Sequence, residues 1–177
     1  GGGILLDQGI HMVDLMRLFG GEYTEVNSVV SNAFWNHDVE DNAYALMKTE
    51  EGVVAMLHSS ATQWRHSFNL EITLETGLLI LSGILSGSKS YGNETLTIIK
   101  RLGDDRGNPV EELRQYDVDP SWEEEIKEFC EMVLEDKKII NGNSLEAYKT
   151  MKLVYDIYCA DELWKNEWML DNAVVDF

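Results

Sequence analysis

From Asp7 to Phe19 the chain reads DQGIHMVDLMRLF, with apolar residues at Ile10, Met12, Val13, Leu15, Met16, Leu18 and Phe19. Apolar side chains nearly all round predict a buried helix, and Gly20-Gly21 ends it. The period then shortens to that of strands. Runs over 26–32, 43–49, 53–62, 68–74, 78–81, 95–102 and 110–117 are rich in β-branched and apolar residues. Thr49-Glu50-Glu51-Gly52 and Glu75-Thr76-Gly77 each place a glycine between two such runs, where a tight turn uses its tolerance of positive φ.

Helical spacing returns at Ser121. Ser121-Trp122-Glu123-Glu124 has the form of a capping box, and Trp122, Ile126, Phe129, Cys130, Val133 and Leu134 fall on one face of a helix to about Glu135. After Gly142-Asn143, Ser144 is placed to cap a second helix, with Leu145, Tyr148, Met151, Tyr155 and Tyr158 at helical intervals through to about Trp164. The sum is an α+β fold, a mostly antiparallel sheet of six or seven strands with helices on one face. The two late helices are expected to form a hairpin. Apolar residues on the strands, among them Val54, Met56, Leu70, Ile72, Leu79 and Leu81, predict that the open sheet face is covered by a second copy of the sheet, giving a homo-dimer or tetramer.

Composition narrows the functional classes. A chain of 177 residues with 44% hydrophobic content is the size of one domain with a real core. Its 14 basic and 32 acidic residues give a formal charge of −18, which repels phosphate backbones and anionic lipid, so neither nucleic acid nor a membrane surface is an expected partner. No apolar run approaches the ~20 residues of a membrane span. The two cysteines, Cys130 and Cys159, lack metal or redox spacing and read as reduced, buried thiols, which points to the cytoplasm. The opening Gly1-Gly2-Gly3, with no methionine, reads as the start of a fragment.

Asp7 and His11 stand four residues apart, with Asp14 three further on, making one polar stripe on an otherwise apolar helix. Two accounts fit the spacing. In one, Asp7 caps the helix, His11 is a satisfied core histidine and Asp14 pairs with Arg17. In the other, Asp7 orients His11 and sustains its basicity, as a proton-transfer site requires.

The segment GGGILLDQGIHMVDLMRLFGG resembles the start of the C-terminal domain in the glucose–fructose oxidoreductase / inositol dehydrogenase / MocA (Gfo/Idh/MocA) family. There a glycine run leads to an Asp, a His four residues later, a second Asp and a closing glycine. Val39-Glu40-Asp41-Asn42-Ala43 with Gly52 and Ser59-Ser60 is similar to the family's first central strands, LEITLETGLLILSG to its hairpin, and the stretch from Ser121 to Asn166 to its closing helix pair. The resemblance implies a two-domain enzyme. An N-terminal Rossmann domain, absent from this chain, would carry NAD or NADP and a catalytic lysine, and residues 1–177 would be a single substrate-binding and oligomerisation domain. It implies that His11 is the acid/base acting on a substrate hydroxyl as hydride leaves or returns, with Asp7 as its partner. The substrate is expected to be a sugar, cyclitol or nucleotide sugar. No GxGxxG lies between a strand and a helix here, so the chain alone is expected neither to bind dinucleotide tightly nor to turn over. The rival reading is a non-catalytic homologue serving assembly or sugar sensing.

Weaker signals lie further along. The segment from Gly83 to Ser90 imitates a phosphate loop but has three residues between its glycines where that motif needs four. Lys89 within it, and Trp64 and Arg65 at a strand end, are the candidates for contacting an anionic or sugar group. His37, Asp38, Glu40 and Asp41 crowd one loop without the regular oxygen spacing of a cation site, and no metal is expected.

Overall fold

A computed structural model describes residues 2–86, 88, 90–103, 107, 109–139 and 141–171. Two compact units emerge, one built from Gly1–Gln63 with Ile140–Phe177 and the other from Trp64–Ile139.

The first unit opens with a π-helical turn, Leu5–Gly9, that runs into α1, Ile10–Gly20. Gly21, at φ 91°, ends the helix and donates its N–H to the Arg17 carbonyl. The apolar pattern of this helix overstated its burial. Leu5, Val13 and Met16 are in the core, whereas Leu18 and Phe19 stay exposed. Three antiparallel strands follow in the order β1 (Tyr23–Ser31), β2 (Asn42–Thr49) and β3 (Val54–Ser60). β2 alternates cleanly. Ala43, Ala45, Met47 and Thr49 face inward, while Tyr44, Leu46 and Lys48 face outward. Gly52, at φ 89°, makes the turn between β2 and β3.

The inner sheet face is covered by a helix of Ser144–Ala160, through Thr150, Leu153, Val154 and Ile157. Its cap is Asn143, which accepts from the N–H groups of Leu145 and Glu146, so Ser144 begins the helix and does not cap it. The predicted single helix to Trp164 breaks at Asp161. That carboxylate accepts from the Leu163 and Trp164 N–H groups, capping the short helix Glu162–Glu167, and also from Val30 on β1.

The second unit is a four-stranded antiparallel meander: β4 (Asn69–Leu74), β5 (Gly77–Ser82), β6 (Glu94–Lys100) and β7 (Glu111–Tyr116). All seven strands of the α+β reading are therefore present, hydrogen-bonded as three plus four. Gly77 does not use positive φ. A side chain there would strike the Ile99 carbonyl on β6, so close backbone approach is what requires glycine. Helix α2 spans Ser121–Leu134, and the helices Ser144–Ala160 and Glu162–Glu167 are α3 and α4. Pro120 is the cap residue of α2 and no side chain closes it, so the capping box is not formed; Asp119 accepts from Ser121 N instead. The apolar face of α2 is exposed, as is Cys130 upon it. Cys159 is half-buried, and neither cysteine is the buried thiol that was expected. No described helix is long and apolar enough to cross a membrane.

Candidate active site

The π turn that carries Asp7 is held from below by a buried acid. Glu40 accepts the Leu5 N–H at 2.9 Å and the Tyr158 hydroxyl at 2.7 Å on the same oxygen, and its backbone carbonyl accepts from Ile4 N–H. Burial, reinforced by this carboxylate, pushes the Tyr158 phenol well above its ordinary range, so it remains a donor. The glycine frame has a packing cause here. Any side chain on Gly3 would collide with the Glu40 carboxylate, and one on Gly9 would sit 2.8 Å from Ser59 Oγ. π-Helical turns of this kind concentrate at functional sites.

Asp7 and His11 are both exposed. Asp7 accepts from Gln8 Nε2 at 3.0 Å, and His11 makes no hydrogen bond among the described residues. Asp7 neither caps the helix nor pairs with His11 in this state, and His11 is not a core histidine.

His11 opens into a cleft of about 660 Å³ between α1 and the start of α3, whose walls also carry Asp14, Arg17, Glu22, Glu146 and Thr150. Arg17 organises it. Its guanidinium takes Glu22 in a two-pronged pair at 2.7 and 3.2 Å, Glu146 Oε2 at 2.8 Å and Thr150 Oγ1 at 2.7 Å. Thr150 donates in turn to Asp14 at 2.6 Å, while Arg17 and Asp14 stand 3.9 Å apart. The expected Asp14 to Arg17 pair is thus mostly relayed through a threonine 136 residues away. Burial opposes the charge on Arg17, but Glu22 and Glu146 outweigh it and hold the group firmly protonated. Arg17 in turn draws both carboxyls below their usual range, with help from Lys149. With Arg17 fully engaged, the cleft offers the acceptors Asp14, Glu22 and Glu146 beside an imidazole, a set suited to hydroxyl donors.

Sequence reasoning did not give Arg17 its role as a hub, Glu40 its place beneath the π turn, or Tyr158 its bond to Glu40. A lone arginine in an apolar helix was the available sign for Arg17. Asp41 is similarly hidden. Burial would raise its pKa, yet it lies below the usual range, because Phe34, Trp35 and Ala33 N–H groups and the Asn42 amide all donate to it. Glu40 and Asp41 are therefore occupied by backbone donors, and no described group of three or more metal-ligating side chains exists.

Trp64 and Arg65 are exposed and belong to the second unit, ahead of β4. Lys89 lies outside the described residues. The described residues also do not fit a dinucleotide. The strand-to-helix connection from β7 to α2 runs Asp117-Val118-Asp119-Pro120, which has no glycine and two acids where a pyrophosphate would need N–H donors.

Residues 1–80 match the GFO/IDH/MocA C-terminal domain family. The likeness read from the opening motif is to that family, and the GFO/IDH/MocA segment holds Asp7, His11, Glu40 and all of β1 to β3. No curated protein matches the chain. Solved structures extend the similarity of fold to nearly its whole length. UDP-N-acetylglucosamine 3-dehydrogenase from Acidithiobacillus ferrooxidans is 21% identical with a TM-score of 0.73, over 91% of this chain and 48% of its own. A 3-ketoreductase from Actinomadura kijaniata, solved with TDP-benzene and NADP, is 21% identical with a TM-score of 0.68, over 91% and 48%. An aldose-aldose oxidoreductase from Caulobacter crescentus, complexed with glycerol, is 20% identical with a TM-score of 0.71, over 92% and 46%. This chain thus spans about half the length of the solved proteins it matches.

Proposed function

We propose that these 177 residues form the substrate-side, C-terminal half of an NAD(P)-dependent oxidoreductase that moves hydride to or from a hydroxyl-bearing carbon of a sugar, cyclitol or nucleotide sugar. The observation that carries this reading is His11, exposed at the mouth of an acceptor-lined cleft, on a helix whose π-helical start is fixed by Glu40 within the GFO/IDH/MocA segment. Oxidising an alcohol releases its hydroxyl proton, and the His11 imidazole takes it; in the reverse direction it returns the proton to the carbonyl oxygen. Asp7, one helical turn before, orients the imidazole or a neighbouring substrate hydroxyl. Asp14, pinned by Thr150, is the fixed wall of the cleft.

On this reading the nicotinamide is held mainly by an N-terminal domain. Trp64, Arg65 and Lys89 are retained as contacts for a diphosphate or sugar group. A cytoplasmic location belongs to the same reading. Assembly as a homo-dimer or tetramer uses the outer face of β1 to β3. Val29, Leu46, Val54 and Met56 are exposed there beside a stacked Tyr44 and His58, with ring centroids 4.4 Å apart. The acidic group on that face, Glu25, is paired with Lys48 at 3.0 Å, so a chain of charge −18 meets its copy without an unpaired acid there.

The direct test is turnover. The full-length protein, given NAD or NADP and a panel of pyranosides, cyclitols and nucleotide sugars, is expected to change nicotinamide absorbance with at least one of them. No change with any, in either direction, contradicts the reading.

A further inference from the structure

Phe34 and Trp35 are exposed on the loop between β1 and β2, edge to face, with ring centroids 4.9 Å apart. Both rings are held outward. Asp41 gathers the N–H groups of Ala33, Phe34 and Trp35, and the Trp35 indole N–H donates to the Ala61 carbonyl at 3.0 Å. The neighbouring acid, Glu40, fixes the π turn of Asp7 through Leu5. One dipeptide therefore ties the aromatic loop and the start of the proton-transfer helix to the same end of the sheet.

The surroundings of the rings are polar and ordered. Ser60 and Thr62 flank Ala61, where the indole anchors, and they join Asn42 in a chain of hydrogen bonds at 3.1 to 3.3 Å. At the base of the loop, Asn32 Oδ1 is a buried acceptor with no donor among the described residues. A rigid aromatic surface edged by hydroxyl and amide groups matches one ligand chemistry best, a pyranose ring. Its axial C–H groups lie on an aromatic face while its hydroxyls meet the polar edge.

We propose that Phe34 and Trp35 form a sugar-stacking subsite that positions the pyranose of the substrate. The proposal rests on the oxidoreductase reading for its sugar but not for its chemistry. Stiffness is the functional gain, since a platform ordered before binding loses little entropy when the sugar arrives.

The test is saturation-transfer NMR on the full-length protein, with UDP-N-acetylglucosamine and glucose as probes. In wild type, saturation is expected on the pyranose ring protons of both. Trp35→Phe keeps an aromatic face but loses the indole anchor and is expected to weaken binding only about two- to five-fold, whereas Trp35→Ala and Phe34→Ala are expected to weaken it about ten-fold or more. No pyranose saturation from either probe in wild type overturns the proposal, as does saturation confined to the uracil protons or an unchanged pattern in Trp35→Ala. His11→Ala separates the two readings. Retained pyranose saturation with unchanged turnover in that variant defeats the catalytic role of His11 and leaves the sugar platform standing.

Discussion

Tyr158 and Glu40 stand 118 residues apart in sequence and meet in a 2.7 Å hydrogen bond from phenol to carboxylate. The same oxygen accepts the Leu5 N–H, so the last third of the chain reaches the turn that carries Asp7 through a single buried acid. Glu40→Ala leaves two buried donors unpaired and is expected to cost about 2–4 kcal/mol, against about 1 kcal/mol for Tyr158→Phe. At this chain length that is a fall in Tm of roughly 5–15 °C for Glu40→Ala. Equal melting of the two variants would mean that the carboxylate is not the anchor.

Arg17 is the second such anchor, joining α1 to α3 through Glu146 and Thr150. Arg17→Met keeps the aliphatic stem and removes every charged contact. The expected loss is roughly 2–4 kcal/mol, toward the lower end of the range for breaking a buried pair, because Glu22 and Glu146 are half exposed and regain water. Thermal unfolding measures it, and a loss below about 0.5 kcal/mol would show the network to be ornamental.

Acid should undo the same network. Folding lowers the pKa of Glu22 and of Glu146, chiefly through Arg17. Their contribution is therefore complete above the ordinary glutamate value of ~4.3 and disappears as pH falls through the lowered folded values. Between pH 5 and pH 3, Tm of the wild type is expected to drop more than that of Arg17→Met, which has no network left to lose. Parallel curves would contradict this.

The outer face of β1 to β3 carries the assembly proposal. Met56, 80% exposed at its centre, is the sensitive position. Met56→Glu is expected to convert the oligomer to a monomer in light scattering without lowering the far-UV helical signal, because the side chain points away from the core. A wild type that is already monomeric removes this face as an interface.

Much of this was legible in the sequence because strands announce themselves by period. Each strand predicted from apolar runs lies within a few residues of β1 to β7, and the break at Gly142-Asn143 fell where α3 starts. What the sequence hid were facts about partners distant along the chain. Nothing local to Thr150 says that it bridges Arg17 and Asp14, and nothing at Tyr158 says that it ends on Glu40. Caps were misplaced by one residue because Asn143 and Ser144 are both good capping types, and only backbone geometry decides between them. The exposure of Leu18, Phe19 and the α2 face also contradicted an apolar pattern that was read as burial. Of the site itself, Asp7 and His11 were visible as a stripe, while the cleft beside them was not.

The central claim is that His11 moves a proton at the reacting hydroxyl, and steady-state kinetics of His11→Ala in the full-length protein test it most directly. The account predicts a fall in kcat of about 10²–10⁴-fold with nicotinamide affinity nearly unchanged, as loss of a general acid/base requires. An unaltered kcat would take His11 out of the mechanism.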